Sequence, residues 1–270
     1  MNEKILKTKS NGFAALFSIL LLLILSVVGF ISSIALIKNE GLQVVCILLS
    51  ILVFISSLIL FGGLKVVKPQ EAIVLTLFGE YTGSIKEPGF YFVNPFSVSV
   101  NPAAKTKLGQ SGDVDRQSTP VTISTTGGVE ANLNALKNQI SLKIMTLNNS
   151  RQKINDCLGN PVEIGIAVTW RVVDTAKAVF NVDNYKEYLS LQCDSALRNI
   201  VRIYPYDVAP NVDTTGDGIA DEGSLRGSSE VVAKRIRDEI QARVENAGLE
   251  IIEARITYLA YAPEIAAVML

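Results

Sequence analysis

The chain has 270 residues, a net charge of −1 and no histidine. The near-neutral balance offers nucleic acid no electrostatic footprint, and the missing histidine removes Ser-His and Cys-His catalysis and histidine-held zinc or haem together. Three cysteines, Cys46, Cys157 and Cys193, follow no framework spacing and suit a reducing compartment, with Cys46 a packing residue.

Residues 1–11 form a basic tail carrying Lys4, Lys7 and Lys9. Two uncharged apolar runs follow, residues 13–37 and 42–64, parted only by Lys38-Asn39-Glu40-Gly41. About 20 apolar residues make a helix long enough to cross a bilayer core, and so short a linker joins antiparallel neighbours. A transmembrane hairpin over residues 12–64 is therefore predicted, with the N-terminus and the polar remainder on one side of the membrane. A cleavable leader would have an apolar region of about 7–15 residues and no second span. Ser26, Gly29, Ser32 and Ser33 in the first run, and Ser50, Ser56 and Ser57 in the second, are small enough for close helix approach and for hydrogen bonds between the helices. Neither span holds a charged residue, which argues against a proton or ion pathway. Basic residues beside span ends stay cytoplasmic. Lys4, Lys7, Lys9, Lys65 and Lys68 flank the ends, against Lys38 in the turn, so both ends are assigned to the cytoplasm.

Roughly 200 residues remain, enough for one sizeable domain. Residues 70–78, QEAIVLTLF, are apolar on both faces and read as a strand buried on both sides. Glu87-Pro88-Gly89 is a turn, and residues 90–93 and 96–100 are short strands around Asn94-Pro95. Residues 103–136 are polar and aperiodic, a long surface insertion with room for a loose hairpin and no legible role. Alternation returns over residues 139–147, and is strictest from Val162 to Val172. There Val162, Ile164, Ile166, Val168, Trp170 and Val172 share one face. Trp170 and the tyrosines are read as core and cap residues.

A short helix is expected over residues 174–180, and a longer one from Asn184, capped with Glu187 in the capping-box position. Its apolar stripe is assigned to Tyr188, Gln192, Ala196 and Ile200, and Tyr204-Pro205 ends it. A further helix runs from about Glu230, capped by Ser228 or Ser229, to Gly248, with Val232, Ile236, Ile240, Val244 and Ala247 inward. Residues 249–261 form a last strand, with Ile252, Ala254, Ile256, Tyr258 and Ala260 on one side. Pro263-Glu264 opens a helix of about two turns before Leu270. Strands followed by a strand-helix-helix-helix-strand unit make an α+β domain in two halves.

One segment has the spacing of a ligand site. In Asp213-Thr-Thr-Gly-Asp217-Gly218-Ile-Ala-Asp221-Glu222, three aspartates fall on positions one, five and nine of a calcium loop, but position twelve is Ser224 instead of glutamate. A solvated acidic loop is the plainer account. No catalytic, cofactor-binding or metal-binding residue is assigned. Gly109-Gln110-Ser111-Gly112 lacks the spacing of a nucleophile elbow, and no segment isolates a Ser-Lys dyad. Two rivals are a membrane-bound hydrolase or protease, which turnover of small ester or peptide substrates would reveal, and a calcium-dependent binding module, which a submillimolar calcium melting shift would reveal.

Val67-Lys-Pro69-Gln-Glu71 through Phe78-Gly79, then Pro88-Gly89-Phe90-Tyr91-Phe92 and Asn94-Pro95-Phe96, resembles the opening of the stomatin/prohibitin/flotillin/HflK-HflC (SPFH, Band 7) domain in its bacterial-type form with an N-terminal hairpin. Gly159-Asn-Pro161-Val162-Glu163-Ile164, Trp170-Arg171-Val172, Asp174-Thr-Ala176-Lys-Ala178-Val-Phe180, Tyr185 to Arg198 and the strand at 251–261 resemble its second half. The likeness spans about residues 66–263, within a domain placed at 65–262. It implies a non-enzymatic scaffold without cofactors that forms homo-oligomers, gathers membrane lipids into microdomains and modulates partner membrane proteins such as proteases. Two departures stand out. The 103–136 insertion is longer than the resemblance implies, and such domains usually continue past Ala262-Pro263-Glu264 into a long coiled coil. Residues 263–270 are the start of such a helix in a fragment, a processed form or a shortened product, and without heptads the 270-residue form is expected to assemble weakly.

Overall fold

The computed structural model describes residues 2–6, 11–36, 38–108, 114–115, 138–149, 151–207 and 224–266. The chain divides into two units, Lys4–Val100 and Met1–Glu3 with Asn101–Leu270.

In the first unit, α1 (Gly12–Leu36) and α2 (Glu40–Phe61) are the two apolar helices. Asn39 caps α2 by accepting from the Gly41 amide, so half of the expected linker is already helical. The second apolar run reaches Leu64, but α2 ends three residues earlier. Gly62-Gly63 stops it, and the Gly63 carbonyl accepts from Val93 N instead of continuing the helix. A Cβ on Gly63 would overlap the Val93 carbonyl oxygen, so only glycine fits this crossing.

Five short strands follow: β1 (Leu64–Val67), β2 (Glu71–Leu77), β3 (Glu80–Ile85), β4 (Gly89–Phe92) and β5 (Val98–Ser99). β1 pairs antiparallel with β4, and β2 is flanked by β3 and β5. β2 is buried on both faces, as its composition predicts. Val67, Ile73, Leu75, Ile85 and Tyr91 form the core, with Leu6 and Val93 against it. Leu6 belongs to the N-terminal tail, which runs beside β3: Leu6 N donates to Ser84 O, and Ser84 N to Lys4 O. β2 and β3 are joined by Phe78-Gly79, both at positive φ. For a phenylalanine that conformation costs about 1–2 kcal/mol.

In the second unit, β6 (Lys107–Leu108) and β7 (Val114–Asp115) pair as a small hairpin at the start of the polar insertion. Most of the remaining insertion lies outside the described residues. β8 (Ile140–Ser141) and β9 (Met145–Asn148) divide the predicted 139–147 strand. β9 and β10 (Gln152–Asn155) pair with one edge of β11 (Pro161–Val172), and β12 (Leu249–Tyr261) with the other. The alternation of β11 is as read: Val162, Ile164, Ile166, Val168, Trp170 and Val172 are all buried. Helix α3 (Thr175–Phe180) is capped by Asp174, α4 (Tyr185–Val201) by Asn184, and α5 (Ser229–Val244) buries Val232, Ile236, Ile240 and Val244. Ser228 precedes α5 without a side-chain capping bond. A short 3-10 turn and Gly248 at φ 68° lead into β12, and α6 (Pro263–Ala266) closes the described chain.

Two assigned faces are corrected. In α4 the buried residues include Tyr185, Leu189, Cys193, Ala196, Leu197 and Ile200, while Tyr188 and Gln192 lie at the margin. There the Tyr188 hydroxyl donates to Arg243 O, and Gln192 accepts from the Arg243 guanidinium. In β12, Ile252 is 39 % exposed and Ile251 only 3 %. A bulge causes this: Trp170 pairs with Ile251 and Thr169 with Glu253, leaving Ile252 without an opposite residue and shifting the period by one. A second bulge lies at Thr257.

Candidate membrane anchor and scaffold faces

The outer faces of α1 and α2 are a nearly continuous apolar surface. Phe17, Leu21 and Leu25 on α1, and Leu48, Leu49 and Leu52 on α2, are exposed. A core helix of a water-soluble protein would cover most of such a surface; here 11 % of each most apolar window is buried. Ser26 and Ser33 on α1, and Ser50 and Ser57 on α2, are the buried small residues, and Gly29 comes close to the Ser50 Cβ. Their hydroxyls do not bond between helices as expected. Ser26 donates to Leu23 O, Ser33 to Gly29 O, Ser50 to Ile47 O and Ser57 to Phe54 O, each within its own helix. A serine that satisfies itself backward leaves close packing as its contribution to the pair. Cys46 is half-buried on α2.

Both ends of the hairpin are seated on β4 and the residue after it. Asn11 Oδ1 accepts from Phe92 N, and the Phe13 ring meets Phe90 edge-on at 5.2 Å. At the other end Gly63 O accepts from Val93 N. The anchor is thus attached to the β-structure at two points, not by a loose tether.

The second unit offers charged faces and no assembled reaction centre among the described residues. A groove of about 640 Å³ runs between α5 and β12, lined by Ser229, Glu230, Lys234, Arg237, Glu253 and Arg255 among others. Arg255 pairs with Glu253, and Arg237 with Asp238. Exposed pairs of this kind add little stability. Beside the groove Gln241 donates to Leu249 O and accepts from Ile251 N, binding α5 to the start of β12. Arg243 ties α5 to α4 through Ser195 and bonds Glu239 one turn back.

Among the described residues of this unit, several titratable groups are shifted by burial. The Lys186 ammonium is partly desolvated, which lowers its pKa, and it donates to the Ala103 and Thr106 carbonyls, not to a serine. Burial pushes the Tyr185 phenol up to about 12, opposed by a hydrogen bond with Asn101. Burial, then the neighbouring Asp194, pushes the Cys193 thiol up, and burial and Asp156 do the same to Cys157. A nucleophilic cysteine needs the opposite shift. The aspartates of the calcium-like loop, Asp213, Asp217 and Asp221, lie outside the described residues. Ser224, at its twelfth position, is buried and its hydroxyl accepts from Gly227 N. Among the described residues no three His, Cys, Asp or Glu side chains converge on a metal position.

An α+β domain behind two long apolar helices fits a protein held at a membrane by a hairpin. The SPFH domain / Band 7 family matches residues 65–269, and the chain belongs to that family. No curated protein matches it. The membership supports a membrane-associated role of scaffold type, and the family is in general non-enzymatic.

Proposed function

We propose that this protein is a cytoplasm-facing membrane scaffold whose copies associate laterally, gather lipid around their hairpins and modulate neighbouring membrane proteins, a membrane protease among them. The observation that carries this is the double seating of the hairpin on β4, with Asn11 and Phe13 at one end and Gly63 at the other. β-structure so attached is held close to the ends of its spans, which supports side-by-side association of copies. The mixed-charge faces of α5 and β12 supply surfaces for neighbouring copies. Mass photometry of the full chain in nanodiscs of increasing size tests the assembly. Particles holding several chains are expected, with the number rising as the disc admits more; single chains at every disc size would overturn the proposal.

Sidedness follows from the flanking lysines. A reporter fused after Leu270 is expected to be active only in the cytoplasm, because Lys4, Lys7, Lys9, Lys65 and Lys68 outweigh Lys38. The backbone bonds of Lys4 and Leu6 to Ser84 support a reading with tail and domain on one side. Activity of the reporter beyond the membrane would refute the assignment.

A further inference from the structure

The two-residue turn between β2 and β3 is built from an unexpected residue. Leu77 pairs with Glu80, leaving Phe78 at φ 50° and Gly79 at φ 93° as its centre. Asn-Gly or Gly-Gly forms such a turn with least strain. Phenylalanine is strained there, and its ring covers no core, being 87 % exposed. Its one ring partner among the described residues is Phe96, itself 58 % exposed, stacked at 6.3 Å between centroids. Local strain that holds an apolar ring away from the fold points to a contact outside it.

The position of Phe96 says what that contact is. Phe96 lies in a turn held by Ser97 N donating to Asn94 O and Phe96 N donating to Asn94 Oδ1. This turn packs against the point where the second span ends. Val93 N donates to Gly63 O, and the Pro95 carbonyl oxygen is 3.5 Å from the place a Cβ on Gly62 would take. Gly62 directly follows the last turn of α2. Val66, on the strand that continues from the span, and Val98, two residues beyond Phe96, are exposed apolar side chains as well. The exposed apolar residues thus continue the lipid-facing surface of the hairpin past its helical end.

We infer that Phe78 and Phe96 form an aromatic pair that enters the boundary between headgroups and acyl chains in the leaflet where α2 ends. This lipid contact is additional to the two spans and rests on the hairpin lying in the bilayer. Side chains at that boundary bury apolar surface without requiring the backbone to leave its hydrogen bonds, as the closed β2–β3 turn does not.

The full chain, reconstituted into vesicles of phosphatidylcholine and phosphatidylglycerol, tests the pair. Its native tryptophan, Trp170, is fully buried and serves as the background. Phe78→Trp and Phe96→Trp each add a reporter at a site whose ring supports no core, and Phe17→Trp reports on the hairpin. With lipids brominated near the glycerol end of the acyl chain, both turn reporters are expected to lose most of their added emission. Bromine near the chain terminus should quench them less, and aqueous iodide should barely reach them. If Phe17→Trp is quenched by bromine while the turn reporters respond only to iodide, the rings face water: the hairpin stands and the inference falls. If neither quencher reaches the turn reporters, a protein surface covers them, and the inference falls equally. An unquenched Phe17→Trp would remove the hairpin reading and the inference with it.

Discussion

A chain lacking residues 12–61 is expected to pass from the carbonate-resistant membrane pellet into the soluble fraction while keeping the circular dichroism of a folded α+β domain. Each span is worth on the order of 10 kcal/mol, taking roughly 0.5 kcal/mol for each of about 20 apolar residues. Two interfacial rings are a peripheral attachment by comparison, and carbonate removes it. The core left behind does not depend on the hairpin, because Val67, Ile73, Leu75, Ile85 and Tyr91 pack on one another and on Leu6 and Val93. The cut must fall after Phe61, since Gly63 holds Val93 and Leu64 already belongs to β1. Carbonate extraction with immunoblotting measures the partition. Retention of the shortened chain in the pellet would show a second integral anchor.

Gly248→Ala is expected to destabilise the domain by about 3 kcal/mol or more. Two independent effects meet at this residue. Its φ of 68° is left-handed, and an alanine Cβ would overlap the Asp174 carbonyl oxygen, a backbone atom that cannot rotate away. Relief by movement is blocked as well, because Gly248 O accepts from both Val173 N and Asp174 N where β11 gives way to α3. Gly159→Ala separates the two effects. Gly159 also has positive φ, at 88°, but nothing lies within 4 Å of the place its Cβ would take. That variant should lose only about 1 kcal/mol, the conformational part. Urea midpoints of the two variants in the hairpin-deleted domain decide it. Equal losses would mean that the crowding at Asp174 relaxes freely.

Where one physical requirement dominates a segment, its residues announce the structure. The apolar runs of the hairpin, the alternation from Val162 to Val172 and the stripe from Val232 to Val244 are such segments. Segments that answer two requirements are harder to read. β3, EYTGSI, has Gly83 where Leu6 of the tail packs closely, so its pattern records a partner distant in sequence. β10 is four residues with only Ile154 buried, too short to show a period. The α4 stripe is displaced from its expected place because Tyr188 and Gln192 have helical spacing but serve hydrogen bonds to Arg243 at the margin. The bulge at Ile252 shifts the buried face from Leu249 and Ile251 to Ala254, a change of phase that no fixed period represents. Nor does the sequence assign the serine hydroxyls, since a carbonyl in the same helix competes equally well with one across the pair.

The pairing of the N-terminal tail with β3 also orders events during synthesis. Lys4 and Leu6 leave the ribosome first, yet their partner Ser84 is made only after both spans, so the finished β3 edge closes a loop that contains the whole hairpin. A nascent chain whose N-terminus has been carried across the bilayer cannot make that closure: it presents Ser84 with open backbone groups and a core without Leu6. In a hairpin topology, a chain whose N-terminus alone crosses the bilayer would carry a visible defect, an unfinished sheet edge, for quality-control proteases to recognise.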